Sequence, residues 1–132
     1  MRVFLDTNVI VSAVATRGLC ADILRETLAR HQLIISEILL DELKIVLADK
    51  IGVPAGIIAD LITMLRDASV WATAASTSGL PLPASADQAL VSAAVQANAE
   101  VFVTGDRELL DQAKCGSVDI ISPRMFWERV KA

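Results

Sequence analysis

Short apolar runs alternate with amphipathic segments along the chain, and this alternation predicts buried strands joined by helices. Runs of three apolar residues occur at positions 3–5, 33–35 and 101–103. Such short continuous runs of Val, Ile, Leu and Phe are typical of strands buried on both faces. Weaker signals of the same kind at positions 70–72 and 119–121 predict two further strands.

Apolar residues spaced three or four positions apart predict helices between these strands. The predicted helical segments are 8–15, 19–30, 37 to about 49, 55–67, 86 to about 98, 106–110 and 124–130. Ser36 stands at the N-cap position of the third helix, and Ser85 with Gln88 forms a capping box at the start of the fifth. The stretch 75–85 is rich in Gly, Pro, Ser and Thr and predicts a loop.

The alternation of strands and helices predicts an α/β fold, in which helices cover both faces of a parallel sheet. Ligands bind to such sheets beyond the carboxyl ends of the strands. The 132 residues suit one domain, 1–132, because the chain contains no internal repeat, low-complexity tract or obvious linker.

The composition narrows the class of protein. Hydrophobic residues make up 54% of the chain, but no apolar run is long enough to cross a bilayer. Asp6 interrupts the apolar start, and the two cysteines form neither a metal-type pair nor a disulfide framework, so we expect a cytoplasmic location. A net charge of −4 counts against a nucleic-acid partner, unless clustered acids bind metal ions that reverse the local charge.

Three aspartates fall where the predicted fold ends its strands or begins its helices. Asp6 directly follows the first strand, and Asp106 follows the strand at 101–103. Asp87 lies in the first turn of a helix that leads into a strand. Because the carboxyl ends of parallel strands meet at one edge of a sheet, we expect Asp6 and Asp106 at that edge. Asp87 lies there too if its helix runs antiparallel to the strands.

Glu42 is placed by helical phase. At about 100° per residue, one apolar stripe runs along this helix, formed by Leu39, Leu40, Leu43, Val46 and Leu47. Glu42 lies at the border of the stripe, whereas Asp41 points to solvent. Glu42 is about 9 Å along the axis from Ser36. Its long side chain leans toward the helix N-terminus and therefore reaches back to the edge.

Each acid also has a purely structural interpretation. Asp6 and Asp106 suit helix caps, Asp87 suits the positive end of a helix dipole, and Glu42 suits a half-exposed surface. Carboxylates crowded at one edge repel one another unless a cation or protons compensate. Oxygen ligands without His or Cys favour Mg²⁺ or Mn²⁺ over zinc, and the single histidine, His31, stands at a helix end.

The segments around these acids resemble those of PIN domains. The resemblance covers essentially the whole chain, and its last segment is the most specific. The matching segments are Leu5-Asp6-Thr7-Asn8, residues 36–47 around Glu42, Asp87 with residues 90–94, and Val103-Thr104-Gly105-Asp106-Arg107-Glu108-Leu109-Leu110. The chain is most similar to the small single-domain PIN proteins classed as toxins of toxin–antitoxin systems, the VapBC-like ribonucleases. Many of these carry another Asp three residues before the third acid, where Ala84 stands here.

The resemblance implies a three-layer α/β/α sandwich and Mg²⁺- or Mn²⁺-dependent cleavage of RNA by a metal-activated water. It implies metal binding by Asp6, Asp87 and Asp106, with Glu42 as a ligand or water-orienting carboxylate. Asn8 and Thr104 would support the site. A homodimer and a protein antitoxin are also implied. Arg17, Arg107 and Arg124 are candidate contacts to RNA phosphates, although each also suits a solvated surface.

Three other interpretations remain open: a phosphatase, a protein-binding module and a nuclease with a different substrate. A phosphatase of the haloacid dehalogenase type also places an Asp after its first strand, but it usually needs a second Asp where Asn8 stands here. A non-catalytic module would keep the PIN scaffold only to bind a protein partner. A nuclease acting on structured RNA or DNA flaps would use the same four acids, although flap nucleases usually carry large additions.

Overall fold

A computed structural model describes residues 1–71 and 86–131, with the side chains of residues 86–88 outside the description. Its strands are β1 (Arg2–Leu5), β2 (Gln32–Ile35), β3 (Val70–Trp71), β4 (Val101–Val103), β5 (Lys114–Cys115) and β6 (Val118–Ile121). Its helices are α1 (Thr7–Ala15), α2 (Leu19–Arg30), α3 (Glu37–Ile45), α4 (Ala55–Ala68), α5 (Ala86–Gln96), α6 (Arg107–Gln112) and α7 (Pro123–Lys131), with a π-helical turn at Val46–Ile51. The predicted loop at 75–85 and the capping box at Ser85 lie outside the described residues.

The strands form one sheet in the order β3-β2-β1-β4-β6-β5, and every described pairing is parallel except that of β5 with β6. In β1, Val3, Phe4 and Leu5 are each fully buried. Because successive side chains of a strand point to opposite faces, both faces of β1 must be covered. The predicted α/β fold with a largely parallel, doubly covered sheet is therefore confirmed.

The central strands are joined by packing as well as by the sheet hydrogen bonds. The rings of Phe4 in β1 and Phe102 in β4 stack with their centroids 5.2 Å apart. Just beyond the strands, the backbone N–H of Asp6 donates to the carbonyl of Val103 at 2.9 Å. These contacts hold the carboxyl ends of β1 and β4 side by side, at the same level of the sheet.

The chain reverses its direction of winding at β1. From β1 it proceeds to β2 and β3 on one side of the sheet, and then returns to β4 on the other side. Such a reversal leaves a crevice beyond the carboxyl ends of the two strands that flank it, which is where open α/β sheets bind ligands. The crevice here lies beyond β1 and β4, between the segments that begin with Asp6 and Thr104.

Two features of the fold differ from the sequence prediction. The helix that was predicted to run to about residue 49 changes to a π-helical turn at Val46, because hydrophobic spacing does not distinguish these two windings. Strand β5 was not predicted, since two residues carry no periodicity. It forms a hairpin with β6 around Gly116, which takes the left-handed backbone conformation that such a tight turn requires, with φ +59°.

No single helix in the described ranges is long and apolar enough to cross a membrane. Helices α1 and α2 reach the length and composition only when taken together, and they are bent by 107° relative to each other.

Candidate metal site

Asp6 is a buried carboxylate at the junction of β1 and α1, with 3% of its surface exposed. It caps α1, since its Oδ1 accepts a hydrogen bond of 2.7 Å from the backbone N–H of Thr7. Its Oδ2 accepts a 2.7 Å hydrogen bond from the hydroxyl of Thr104 and a longer one, 3.4 Å, from the side-chain amide of Asn8. The structural interpretation of Asp6 as a cap is therefore correct, but an exposed cap would need neither the burial nor the other two donors.

Thr104 connects Asp6 with Asp106. Its side chain is fully buried, and its hydroxyl donates to Asp6 while accepting a 2.9 Å hydrogen bond from the backbone N–H of Asp106. Asn8 makes a second link across the crevice, because its side-chain oxygen accepts from the backbone N–H of Gly105 at 3.3 Å. The two residues predicted to support the site therefore join the loop after β4 to the start of α1.

Asp106 is half-buried and caps α6. Its Oδ1 accepts from the backbone N–H groups of Glu108 and Leu109 at 2.8 and 3.3 Å. Within the described part of the chain, its other carboxylate oxygen has no hydrogen-bond donor. A cap that uses one oxygen leaves the second free to bind a ligand, so the structural and functional interpretations are compatible.

Glu42 reaches the same crevice from α3. Its side chain is half-buried, and its Oε2 accepts a 2.9 Å hydrogen bond from the hydroxyl of the buried Thr7. Asp41 is exposed, as the helical phase predicts. Ser36 fixes the start of α3, because its side chain accepts from the backbone N–H of Leu39 at 3.2 Å. The sequence analysis overlooked Thr7, although its place directly after Asp6 was a signal.

Burial raises the pKa of Asp6 above its ordinary value, and this is the largest influence on it. The hydrogen bonds from Thr104 and from the backbone of Thr7 act in the opposite direction, because they stabilise the ionised carboxylate. The negative charges of Glu42 and Asp106 raise the pKa of Asp6 further, which places both carboxylates within electrostatic range. A cation bound in the crevice would offset both the burial and the repulsion.

The fourth predicted acid, Asp87, lies in the first turn of α5, which packs against α3. Its side chain, and the position of Ala84, lie outside the described residues. Among the described side chains, no three of the His, Cys, Asp and Glu types come close enough together to hold a metal ion. Asp6, Glu42 and Asp106 nevertheless supply hard oxygen donors of the kind that suits Mg²⁺ or Mn²⁺, and each reaches the crevice from a different element.

A groove of about 490 Å³ starts at this crevice. It is lined by Asp6, Thr7, Asn8, Val11, Ser12, Ala15, Thr16, Glu42, Val46, Lys50 and Ile51. Besides Thr7, three of its polar residues, Ser12, Thr16 and Lys50, were not identified from the sequence. Lys50 lies in the π-helical turn, whose winding brings it to the groove, and no pattern in the sequence indicated that winding.

The three predicted RNA contacts are all exposed arginines. Arg107 begins α6 directly after Asp106, and Arg124 is the second residue of α7. Both therefore follow strands whose carboxyl ends lie at the site edge. Arg17 follows the last turn of α1 and is next to Thr16, which lines the groove. Their contact with RNA stays a prediction.

The family model of the PIN domain matches residues 2–108. The chain belongs to the PIN-domain family. The match covers β1 through the start of α6, and so includes Asp6, Glu42, Asp87 and Asp106. A comparison with curated proteins finds no match.

Among solved structures, this PIN domain is similar to VapBC2 from Rickettsia felis, crystallised bound to a DNA fragment from their promoter. The similarity covers 92% of this chain and 98% of the other, with a TM-score of 0.64. At 17% sequence identity, it concerns the fold.

Proposed function

We propose that this PIN domain is a Mg²⁺- or Mn²⁺-dependent endoribonuclease. The observation that carries the proposal is the buried carboxylate of Asp6 at the reversal point of the sheet, within electrostatic range of Glu42 and Asp106. Burying an acid beside two others is unfavourable for the metal-free protein. A bound cation would offset both the burial of Asp6 and its repulsion by the other two acids.

In this proposal, Asp6, Asp87 and Asp106 hold the metal, and Glu42 is a ligand or orients the attacking water. A Mg²⁺ or Mn²⁺ ion held by these residues would supply Lewis acidity, which makes water a better nucleophile near neutral pH. Thr104 and the backbone of Thr7 favour the ionised form of Asp6 by donating hydrogen bonds to it, against the burial that raises its pKa. The hydroxyl of Thr7 fixes the carboxylate of Glu42, and Asn8 holds the loop of Gly105 against α1.

We further propose that the domain is the toxin of a toxin–antitoxin pair, acts in the cytoplasm, and forms a homodimer. The similar fold of VapBC2 and the match to the PIN family support the toxin role. For the homodimer, the support is an exposed apolar face on α3, where Ile38 and Ile45 are 43% and 59% exposed and lie two turns apart. A protein antitoxin would cover the acid site.

The test is cleavage of single-stranded RNA by the purified protein with Mn²⁺, with Mg²⁺ and with a chelator. We expect the Asp6→Asn/Asp106→Asn double variant to lose at least about a hundredfold in kcat, because each replacement removes charge needed in the transition state. Asn keeps the capping role of both residues, so the fold should persist. Products should carry 5′-phosphate and 3′-hydroxyl ends.

Asp41→Asn is the matched control, since Asp41 is exposed and adjacent to Glu42 on the same helix. Wild-type rates in the control, with loss in the double variant, would support the nuclease. Full activity in a carefully purified double variant would refute it.

A non-catalytic protein-binding module is the second candidate, and the capping roles of Asp6 and Asp106 favour it. Both caps would persist in a scaffold that had lost its chemistry. Calorimetric titration with Mn²⁺ separates the two functions. Saturable binding that the double variant lacks favours the nuclease, and the absence of binding favours the module.

A further inference from the structure

We infer that Lys50 binds a backbone phosphate of the RNA, and that the groove between α1 and the α3/π-helical segment is the path of the strand away from the acid site. This inference rests on the proposed function and names a part of the substrate path that the four acids do not supply. Asp6, Glu42 and Lys50 line the same groove, so one cavity contains two acidic residues and a basic one.

The direction of the groove follows from the topology. Helices α1 and α3 each begin directly after one of two neighbouring parallel strands, so both start at the site edge and run away from it in the same general direction. The two helices pack against each other, and α1 also packs against the π-helical turn. Residues from Asn8 in the first turn of α1 to Thr16 at its C-cap line the groove, which therefore extends along the helix.

The wall of the groove formed by α3 and the π-helical turn carries both an acid and a lysine. Glu42, Val46 and Lys50 line it at intervals of four residues. Eight residues correspond to roughly 12 Å of α-helical rise, and somewhat less where the helix widens. If the scissile phosphate of an RNA strand lies at the carboxylates, another phosphate further along its backbone would therefore lie near Lys50.

The charge of Lys50 is available for such a contact. Its side chain is exposed, and it forms no ion pair with any residue that the structure describes. Several other basic residues are paired with acids, including Arg25, Arg66, Lys114, Arg129 and Lys131. The wall formed by α1 also offers the hydroxyl of Ser12, which is an ordinary donor to a phosphate oxygen, whereas the hydroxyl of Thr16 donates to the backbone carbonyl of Ser12 at 2.7 Å.

The overall charge gives this contact its importance. The chain carries a net charge of −4, and two carboxylates line the groove, so the net charge and these acids both repel an RNA backbone. Metal ions reverse the charge at the acid end. A lysine at the other end supplies an attraction that does not depend on the metal, and binding through it should depend on salt.

The test compares Lys50→Met with Lys44→Met. Lys44 lies on α3, within the same continuous helical segment, but it lines a different pocket, between α3 and α4. Met keeps much of the aliphatic stem and removes only the charge. Both variants are made in the Asp6→Asn/Asp106→Asn background and kept in chelator, so that cleavage cannot occur. Binding of a fluorescein-labelled single-stranded RNA is measured by anisotropy over a range of salt concentrations.

We expect Lys50→Met to weaken RNA binding about three- to fivefold at low salt, and to reduce the slope of log Kd against log salt by about 0.7. Lys44→Met should change neither quantity, and Lys50→Arg should restore both. In the otherwise wild-type protein, Lys50→Met should raise KM for RNA cleavage with little change in kcat. Equal affinity and equal slope for the two Met variants, or no measurable RNA binding, would overturn the inference.

Failure of the inference and failure of the proposed function give different results. If the wild type cleaves RNA with Mn²⁺ and Lys50→Met binds as tightly as Lys44→Met, the nuclease stands and the phosphate contact falls. If the wild type does not cleave RNA but its binding depends on Lys50, the phosphate contact stands and the catalytic function falls.

Discussion

At the scale of single residues, the site depends on polar groups that each serve two purposes. Asp6 caps α1 and takes part in the proposed metal site, and Thr104 donates to Asp6 while accepting from the backbone of Asp106. Burial alone would keep Asp6 protonated over a wider pH range, and the hydrogen bonds oppose this. The ionisation of one carboxylate is therefore set by a balance between desolvation and donated hydrogen bonds.

This balance predicts the effect of Thr104→Val. The replacement removes the hydroxyl that lowers the pKa of Asp6, so that pKa should move further up. The acidic limb of the pH profile for Mn²⁺-dependent cleavage should then shift to higher pH, and Mn²⁺ affinity near neutral pH should fall about tenfold. Thr104→Ser keeps the hydroxyl and should leave the limb in place. An unchanged limb in Thr104→Val would show that this hydrogen bond does not control the ionisation of Asp6.

At the scale of elements, the candidate site combines the starts of α1 and α6 with the middle of α3 and the π-helical turn. Helices α1 and α6 begin at the acids themselves, whereas α3 must be held in the correct phase to present Glu42. The buried side chain of Ser36 caps α3, six residues before Glu42. The π-helical turn then brings Lys50 into the groove. Local capping and local winding therefore decide which side chains meet.

The role of the cap predicts the effect of Ser36→Ala. Loss of the hydrogen bond to the backbone of Leu39 should lower the free energy of unfolding by about 1 kcal/mol. Urea denaturation measures this change, with the slope of the transition unchanged. Ser36→Asp retains a capping oxygen and should recover most of the loss. A midpoint for Ser36→Ala equal to that of the wild type would mean that the cap does not stabilise α3.

At the scale of the whole molecule, the sheet reverses its winding beside the buried Asp6, and the proposed metal binding would therefore be linked to the stability of the domain. A carboxylate whose pKa is raised in the folded protein binds its proton more tightly there than in the unfolded chain. The folded protein therefore loses stability as the pH rises above the ordinary Asp value of 3.8 and through the raised pKa of Asp6. A metal ion that binds only the folded form would restore this lost stability.

The same linkage predicts the effect of Asp6→Asn on thermal stability. In chelator at neutral pH, the variant should have a higher Tm than the wild type, because it removes a buried charge that repels Glu42 and Asp106. Added Mn²⁺ should raise the Tm of the wild type and have little effect on the variant. Calorimetry at several pH values checks both statements. Asp41→Asn, at an exposed position, should follow the wild type. A variant less stable than the wild type in chelator would show that the hydrogen bonds of Asp6 outweigh its repulsion.

What the sequence determined by itself was the class of fold and the strand and helix ends on which Asp6 and Asp106 stand. Three apolar residues followed by an acid specify a buried strand and its polar end, and a cap specifies a helix start, because these signals are local. Helical phase likewise separated Glu42 from Asp41, since 3.6 residues per turn is a fixed geometry.

Tertiary structure alone decided how those ends combine. The order β3-β2-β1-β4-β6-β5 places β1 beside β4, although their facing residues, from Val3–Val101 to Leu5–Val103, are 98 positions apart in the sequence. This pairing brings Thr104 to Asp6. The π-helical winding, the hydrogen bond from Thr7 to Glu42 and the position of Lys50 in the groove also depend on packing between distant segments. Hydrophobic spacing records which face of an element is buried, but not which element covers it, so Asp6, Glu42 and Asp106 come together only when the sheet is assembled.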